Sequence, residues 1–333
     1  MKQLILMFLL IITGCCPKFC PFSKHADRKP ETSFVNGHGR LAVRGTEIID
    51  ENGNPVVLRG VSLGWHNWWP QYWNADVIAW LKEDWKCTVV RAAMGIRPEN
   101  AFLDAPEQAT RLMKTVVEAC IEQGIYVIID WHDHHAEENI EAAKSFFIDM
   151  ASTYGHHPNI IYEIFNEPTR QKWAQVKAYA DTVITAIRQH DPDNIILIGN
   201  PHWDQDLHVV ADDPLTGHEN LMYTLHFYAV THRQWLRDRG DYALSKGIPI
   251  FVSESDGCNS SGQGELDMTE WNIWIDWMEK NKISWIKWSI ADKEETCSAL
   301  RPGASSEGGW TTEDLTESGI KAREFIRNLN GIE

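Results

Sequence analysis

With 333 residues, of which 43% are hydrophobic and 23% charged, the chain has the composition of a soluble globular protein and room for one large domain or two small ones. A formal net charge of −16 argues against DNA, RNA or anionic lipid as the main partner, because phosphate contacts need a basic surface, and favours a neutral or cationic ligand. Sixteen tryptophans exceed what core filling calls for, and the surplus suits stacking on the apolar faces of ligands, sugars among them.

The chain opens with MKQLILMFLLIITG. Lys2 supplies a short positive region, and the apolar run from Leu4 to Ile12 is too short to span a bilayer. Residues 1–14 therefore read as a secretion signal. The stretch Ile12-Thr13-Gly14-Cys15 resembles a bacterial lipoprotein cleavage box, which implies a mature chain lipidated on Cys15; ordinary cleavage without lipid is the alternative. Residues 15–35, polar and proline-containing, read as a flexible tether, leaving 36–333 for the fold. Of seven cysteines, Cys15, Cys16 and Cys20 lie in the leader and tether. Cys87 and Cys120 sit in apolar contexts and read as buried small hydrophobes. Cys258 and Cys297 follow late strands and either pair in an oxidising compartment or stay free; none of the four has the CxxC spacing of a zinc site.

Next, RLAVRGTEIIDENGNPVVLRG predicts a hairpin, with Asp50-Glu51-Asn52-Gly53 as its turn. A regular pattern follows. Runs with strand character cover 56–63, 88–94, 125–132, 160–167, 194–200, 221–228, 249–254 and 284–290, and helical-period segments such as 75–85, 107–124, 172–190 and 270–281 lie between them. Eight strands alternating with helices imply an all-parallel sheet, and eight such units fit an α/β fold of the closed (β/α)8 TIM-barrel class behind a short N-terminal β-hairpin. An open doubly wound sheet would call for a glycine-rich phosphate turn after the first strand, where LRGVSLGWHNWW offers only Gly60 and Gly64. With no low-complexity interruption, the pattern reads as one domain with no appended binding module, expected as a monomer.

In such a barrel the active site is built where the strands end. Reading those ends in order gives Arg91, then Asp130-Trp131-His132, Asn166-Glu167, Asn200 with Trp203, His226 with Tyr228, Glu254, and Trp288. Glu167 and Glu254 end different strands. A pair of carboxyls across a cleft is the minimum equipment for cleaving a glycosidic bond: one gives a proton to the leaving oxygen, the other attacks or activates water. Their surroundings must push the two pKa values apart. Glu163, four residues before Glu167, is expected to point into the barrel as a structural ion-pair partner. Pro168 removes a backbone donor and stops the strand.

IIYEIFNEP (160–168), with PIFVSE, LHFY, VVRAAM and DWH, closely resembles glycoside hydrolase family 5 in its bacterial endoglucanase branch, from about residue 41 to residue 327. The resemblance implies Glu167 as general acid/base and Glu254 as the nucleophile of a retaining double displacement, with the carboxyls roughly 5–5.5 Å apart. It further implies that Asn166 bonds the sugar 2-hydroxyl, that Tyr228 and Arg91 hold the nucleophile ionised, that His132 and His226 bind hydroxyls, and that Trp288 stacks with Lys293 nearby. Many relatives carry a His directly after the first strand; Gly64 stands there instead, with His66 two residues on and Trp68 matching a following Trp. His66 is a candidate for the missing contact, and Trp203, Trp68 and Tyr72 are candidate cleft aromatics. The expected activity is an endo-β-1,4-glucanase that is secreted, anchored to a membrane only through lipid on Cys15, acts on a β-glucan polysaccharide or oligosaccharide, and needs no cofactor and no metal. β-Mannan, xyloglucan and mixed-linkage glucan (lichenase activity) need similar centres.

Two rivals come from the residues themselves. His132-Asp133-His134-His135, with His202 and His226, suggests a metal-dependent hydrolase, although such barrels usually carry a His-x-His pair on the first strand rather than after the third. A sugar-binding protein without catalysis would suit the aromatic richness but has no use for two catalytic-type glutamates.

Overall fold

A computed structural model describes residues 33–331. The expected secretion signal, the expected lipid site at Cys15 and most of the expected tether lie outside the described residues. The last tether positions do not: Ser33 caps the short helix α1 (Phe34–His38) by accepting from Asn36 N at 3.2 Å, and Val35 is buried with its amide bonded to Gly124 O. The compact unit thus begins at Ser33 rather than 36.

Strands β1 (Ala42–Arg44) and β2 (Glu47–Ile49) form the antiparallel hairpin. Its turn is at Gly45-Thr46, not at 50–53, because Gly45 supplies the positive φ (63°) that a two-residue turn requires. The Asp50 cluster closes a second turn: Asp50 Oδ1 accepts from the amides of Asn52 and Asn54, and an isolated bridge joins Ile49 to Pro55.

The barrel follows. Its strands are β3 (Arg59–Leu63), β4 (Val89–Gly95), β5 (Tyr126–His132), β6 (Ile160–Glu163), β7 (Ile195–Ile198), β8 (Leu221–Tyr228), β9 (Ile250–Asp256) and β10 (Trp285–Ile290). All neighbours are parallel, and β10 pairs with β3 to close the ring. The intervening helices are α2 (Ala75–Glu83), α3 (Pro106–Gln123), α4 (Ile140–Tyr154), α5 (Trp173–Arg188), the single turn α6 (Pro201–Asp204), α7 (Leu207–Asp212), α8 (Gln234–Ser245), α9 (Met268–Lys280) and α10 (Glu317–Asn330). Local chemistry sets several boundaries. Asn74, Asp267 and Thr316 side chains accept from the first-turn amides of α2, α9 and α10, and α3 stops at left-handed Gly124. Gly60 on β3 lies so close to β4 that a Cβ there would meet Val89 O at 1.8 Å. None of the helices described is long and apolar enough to cross a membrane.

Two apolar layers hold the fold. One lies between barrel and helices; the other fills the barrel's lower interior with Val89, Tyr126, Ile128, Ile161, Met222 and Phe251, and the N-terminal segment covers it with Val35, Leu41 and Ile48. β6 leaves its ladder at Glu163, shorter than the expected 160–167. Residues 164–167 continue as a bend whose amides reach across to the end of β5, Asn166 N to Trp131 O and Glu167 N to Asp133 O. Gly199 makes room for that bend: a Cβ there would meet Phe165 O at 2.3 Å and Pro168 Cδ at 2.7 Å.

Candidate active site

Above the apolar floor the inward positions become polar. Arg91, fully buried on β4, is the hub. Its Nε and Nη2 donate to Glu163 at 2.7 and 3.2 Å, Nη2 also to Asn166 Oδ1 at 2.6 Å, and Nη1 to Glu254 Oε2 at 3.3 Å; Asp130 Oδ2 lies 2.9 Å from Nη2. Glu163 is thereby the buried ion-pair partner that its register predicts. Because residues 164–167 bend out of the ladder, Asn166 reaches the same side as its neighbour Glu167 rather than alternating away.

Glu254 accepts a 2.5 Å hydrogen bond from Tyr228 Oη through its other oxygen. Glu167 meets two imidazoles: His226 Nδ1 at 2.8 Å from Oε1 and His134 Nε2 at 3.1 Å from Oε2. His226 is fixed from behind, its Nε2 2.8 Å from Ser253 Oγ and 3.3 Å from Asp204 Oδ2, while Ser253 Oγ bonds Glu163 at 2.7 Å. A continuous chain thus runs Arg91–Glu163–Ser253–His226–Glu167. Carboxylate oxygens of Glu167 and Glu254, with a ring nitrogen of His226, all lie within 4.8 Å of one another. That separation belongs with attack by one carboxylate rather than with the roughly 6.5–9.5 Å that leaves room for a water.

Burial pushes Glu254 up, and the charge of Glu167 adds to it; His226, Arg91 and the Tyr228 hydrogen bond oppose, and the carboxyl ends above its usual range. Burial also pushes Glu167 up, but hydrogen bonds and charge from His134 and His226 outweigh it and hold the carboxyl well below its usual range. Burial alone would lower His226, yet Asp204, Glu163, Glu167 and Glu254 raise it well above the ordinary imidazole value. His134 is raised by Glu167 against the effect of its burial. The two carboxyls are pushed apart, as glycosidic chemistry needs, but a Glu167 holding its own proton would be displaced the other way. The reason is the pair of imidazoles on its oxygens.

A cavity of about 870 Å³ opens over Glu167, Glu254, His226 and Tyr228 and is walled by Trp203 and Trp235. A smaller one of about 190 Å³ is lined by Trp65, Trp68, Trp69, Trp288 and Lys293 and meets the first at Tyr228 and Ser260. The two glutamates therefore stand near the middle of one cleft with aromatic walls on both sides. His132 lies behind the second wall, its ring parallel to Trp288 at 5.2 Å and its Nδ1 2.7 Å from Asp130; burial lowers its pKa well below the usual value. Trp203 projects from three consecutive left-handed residues, His202, Trp203 and Asp204, a turn that also sends Asp204 behind His226.

Two expected site residues, Tyr72 and His66, take no part in this arrangement. Tyr72 is 1% exposed, because the turn carrying it packs against Trp310 and its hydroxyl donates to Ala304 O. His66 is 1% exposed beside Trp73, with a pKa lowered to about 4 by burial, and does not stand in for the His missing at Gly64. Gly64 itself leaves no space, since a Cβ would meet Trp69 at 2.9 Å and Ile290 O at 3.1 Å. Trp65 fills that edge instead, 4.6 Å from Trp68 in a stacked pair and edge-on to His132. The histidine run after β5 does not converge on one point. His132 turns to Asp130, His134 to Glu167 and His135 to Gln171, while Asp133 pairs with Arg97. His134, Trp65, Trp235, Asp204 and Ser253 are site residues that sequence reasoning missed. His134 was legible only as part of that run, and Trp235, in the first turn of α8, carries no periodic signal.

Residues 49–294 match the model of the family described as Cellulase (glycosyl hydrolase family 5). The chain is 42% identical over 307 residues to an endoglucanase of Clostridium saccharobutylicum, covering 91% of this chain and 68% of the relative. It is 44% identical to endoglucanase 5 of Pectobacterium carotovorum subsp. carotovorum, covering 89% of this chain and 60% of that relative's length. Among solved structures, one from Cytophaga hutchinsonii superposes with a TM-score of 0.88 at 46% identity, covering 90% of this chain and 98% of the other. A variant of the Thermobifida fusca endoglucanase catalytic domain in complex with cellotetraose superposes with a TM-score of 0.85 at 32% identity, covering 89% and 99%.

Proposed function

Because the chain belongs to glycosyl hydrolase family 5, and is a glycoside hydrolase on that ground, we propose that it is an endo-acting β-1,4-glucanase working by retaining double displacement. The observation that carries this reading is the pair Glu167 and Glu254, offering carboxylate oxygens within 4.8 Å across an aromatic-walled cleft. Glu254 attacks the anomeric carbon while the leaving oxygen takes a proton from Glu167. Water, deprotonated by Glu167, then releases the glycosyl group from Glu254. Arg91 and Tyr228 orient Glu254, and their charge and hydrogen bond favour its ionised form. Since Glu254 nonetheless sits above the usual carboxylate range, activity falls on the acid side as pH drops through that raised value.

In this reading Asn166, held by Arg91, meets a sugar hydroxyl, and Trp288, backed by His132, forms with Lys293 and Trp68 the wall on the Trp65 side. Trp203 and Trp235 receive sugars on the other. Walls on both sides of the glutamates favour internal cleavage of a long chain. The leader residues 1–14 support export, and Cys15 is the proposed lipid site. The Cys258–Cys297 disulfide, which ties the loops after β9 and β10, suits an oxidising compartment.

A hydrolysis screen over carboxymethyl cellulose, lichenan, xyloglucan and mannan, with product sizing and NMR of the first-formed anomer, tests the reading. Rapid loss of viscosity on the cellulose derivative with β-configured products is expected. Preference for mannan or xyloglucan, or an α-configured product, would overturn the substrate or the mechanism respectively.

A further inference from the structure

Glu167 presents a difficulty for the proposed chemistry: it must deliver a proton, yet both of its oxygens are engaged by imidazoles that hold it ionised. The two imidazoles differ in a way that resolves this. The His226 side chain is 2% exposed and fixed by Ser253 and Asp204 behind it. The His134 side chain is 40% exposed, on the loop after β5, and held at its backbone by Gln171 donating to its carbonyl. Oε1 of Glu167 is therefore closed to a ligand, and Oε2, which His134 touches, is the oxygen a leaving group can reach.

We propose that His134 is a positioning residue that stores the proton Glu167 delivers. As the sugar chain fills the cleft, the Nε2–H bond of the imidazolium breaks and Oε2–H forms. The N–H electron pair stays on the nitrogen, leaving neutral imidazole and a carboxylic acid. Oε2–H then protonates the glycosidic oxygen as its bond to the anomeric carbon breaks and Glu254 bonds to that carbon. In the second half-reaction Glu167 takes a proton from water and returns it to His134, so the cycle closes without another reagent.

The driving force is loss of solvent. His134 is the water-exposed member of the pair, and covering it with a neutral ligand disfavours the separated charges relative to the neutral pair. The charged and titratable groups around it are Asp133 and His135 on its own loop, His132 at the end of β5, Glu167 beyond β6, His226 on β8 and Glu254 on β9, with His202 and Asp206 across the cavity. The carboxylates among them favour its cation, and Glu167 does so most directly through the hydrogen bond. The pair thus keeps one shared proton to higher pH than Glu167 could alone.

The inference rests on Glu167 being the acid/base. The test compares kcat/KM for wild type, His134→Gln, His134→Phe and Glu167→Gln on aryl β-cellobiosides whose leaving groups run from dinitrophenol to methylphenol. Both His134 variants are expected to lose roughly tenfold or more on methylphenyl substrate, with the loss shrinking towards dinitrophenyl. Their alkaline limb should move to lower pH. Glutamine keeps an N–H donor to Oε2 but no transferable proton, so it should not rescue. A loss equal across all leaving groups, or recovery in His134→Gln, would overturn the proposal and leave His134 a structural contact. Should Glu167→Gln itself show no leaving-group dependence, the acid/base reading falls and this inference with it.

Discussion

The lower and upper halves of the barrel interior are built by the same strands, yet they carry opposite chemistry. Along β5 the inward positions run Tyr126, Ile128, Asp130, His132; along β6, Ile161 then Glu163; along β8, Met222, Thr224, His226, Tyr228. The lower half is an apolar plug under the N-terminal hairpin. The upper half concentrates five carboxyls, Asp130, Glu163, Glu167, Asp204 and Glu254, around the Arg91 guanidinium and the His226 imidazole. Burying charges is costly unless each finds a partner. The upper half meets that condition through one guanidinium shared among three carboxyls and an imidazole shared among others. The lower half is thus where the fold gains stability, and the upper half is where that stability is spent on holding ionisable groups close.

The comparison predicts how each half fails. Arg91→Met should have the larger effect. It strands Asp130, Glu163 and Glu254 without their common cation, at a cost of about 3–5 kcal/mol. It also lets Glu254 rise further, so the acid limb of kcat/KM should move to higher pH in whatever fraction folds. Denaturant unfolding combined with a pH–rate profile reads both, and an unshifted acid limb would detach Arg91 from the nucleophile. Ile161→Ala, two residues below Glu163 on the same face, should cost about 2–4 kcal/mol by cavity formation. Its kcat and pH profile at a temperature where it stays folded should match wild type. A changed pH profile would mean the two halves are not separable.

The alternation behind this contrast was legible in the sequence, because strand period and strand ends are local signals. Arg91, His226, Tyr228 and Trp288 follow the period-two reading, whereas Glu167 stands in the bend beyond the ladder and Glu254 follows a register shift between β8 and β9. What was not legible depended on local competition or on contacts far apart in sequence. Gly45-Thr46 and Asp50–Gly53 are both good turns, and the positive φ of Gly45 decided between them. Tyr72 and His66 lie in an aperiodic stretch with four tryptophans, where nothing local distinguishes wall from packing. Glu163 as ladder end, with the bend of 164–167 beyond it, depends on Gly199 of the next strand. The sense of the Glu167 shift depends on His134, whose contact spans 33 residues.

The central claim, that Glu254 attacks the anomeric carbon from across the cleft, has a direct test. The protein would be incubated with a cellobioside bearing fluorine beside the anomeric carbon and a good leaving group, which slows turnover of the intermediate, then digested and examined by mass spectrometry. The account predicts one added glycosyl mass on the peptide containing Glu254, absent in Glu254→Gln. Hydrolysis with no adduct, or an adduct carried by Glu167 or any other residue, would contradict it.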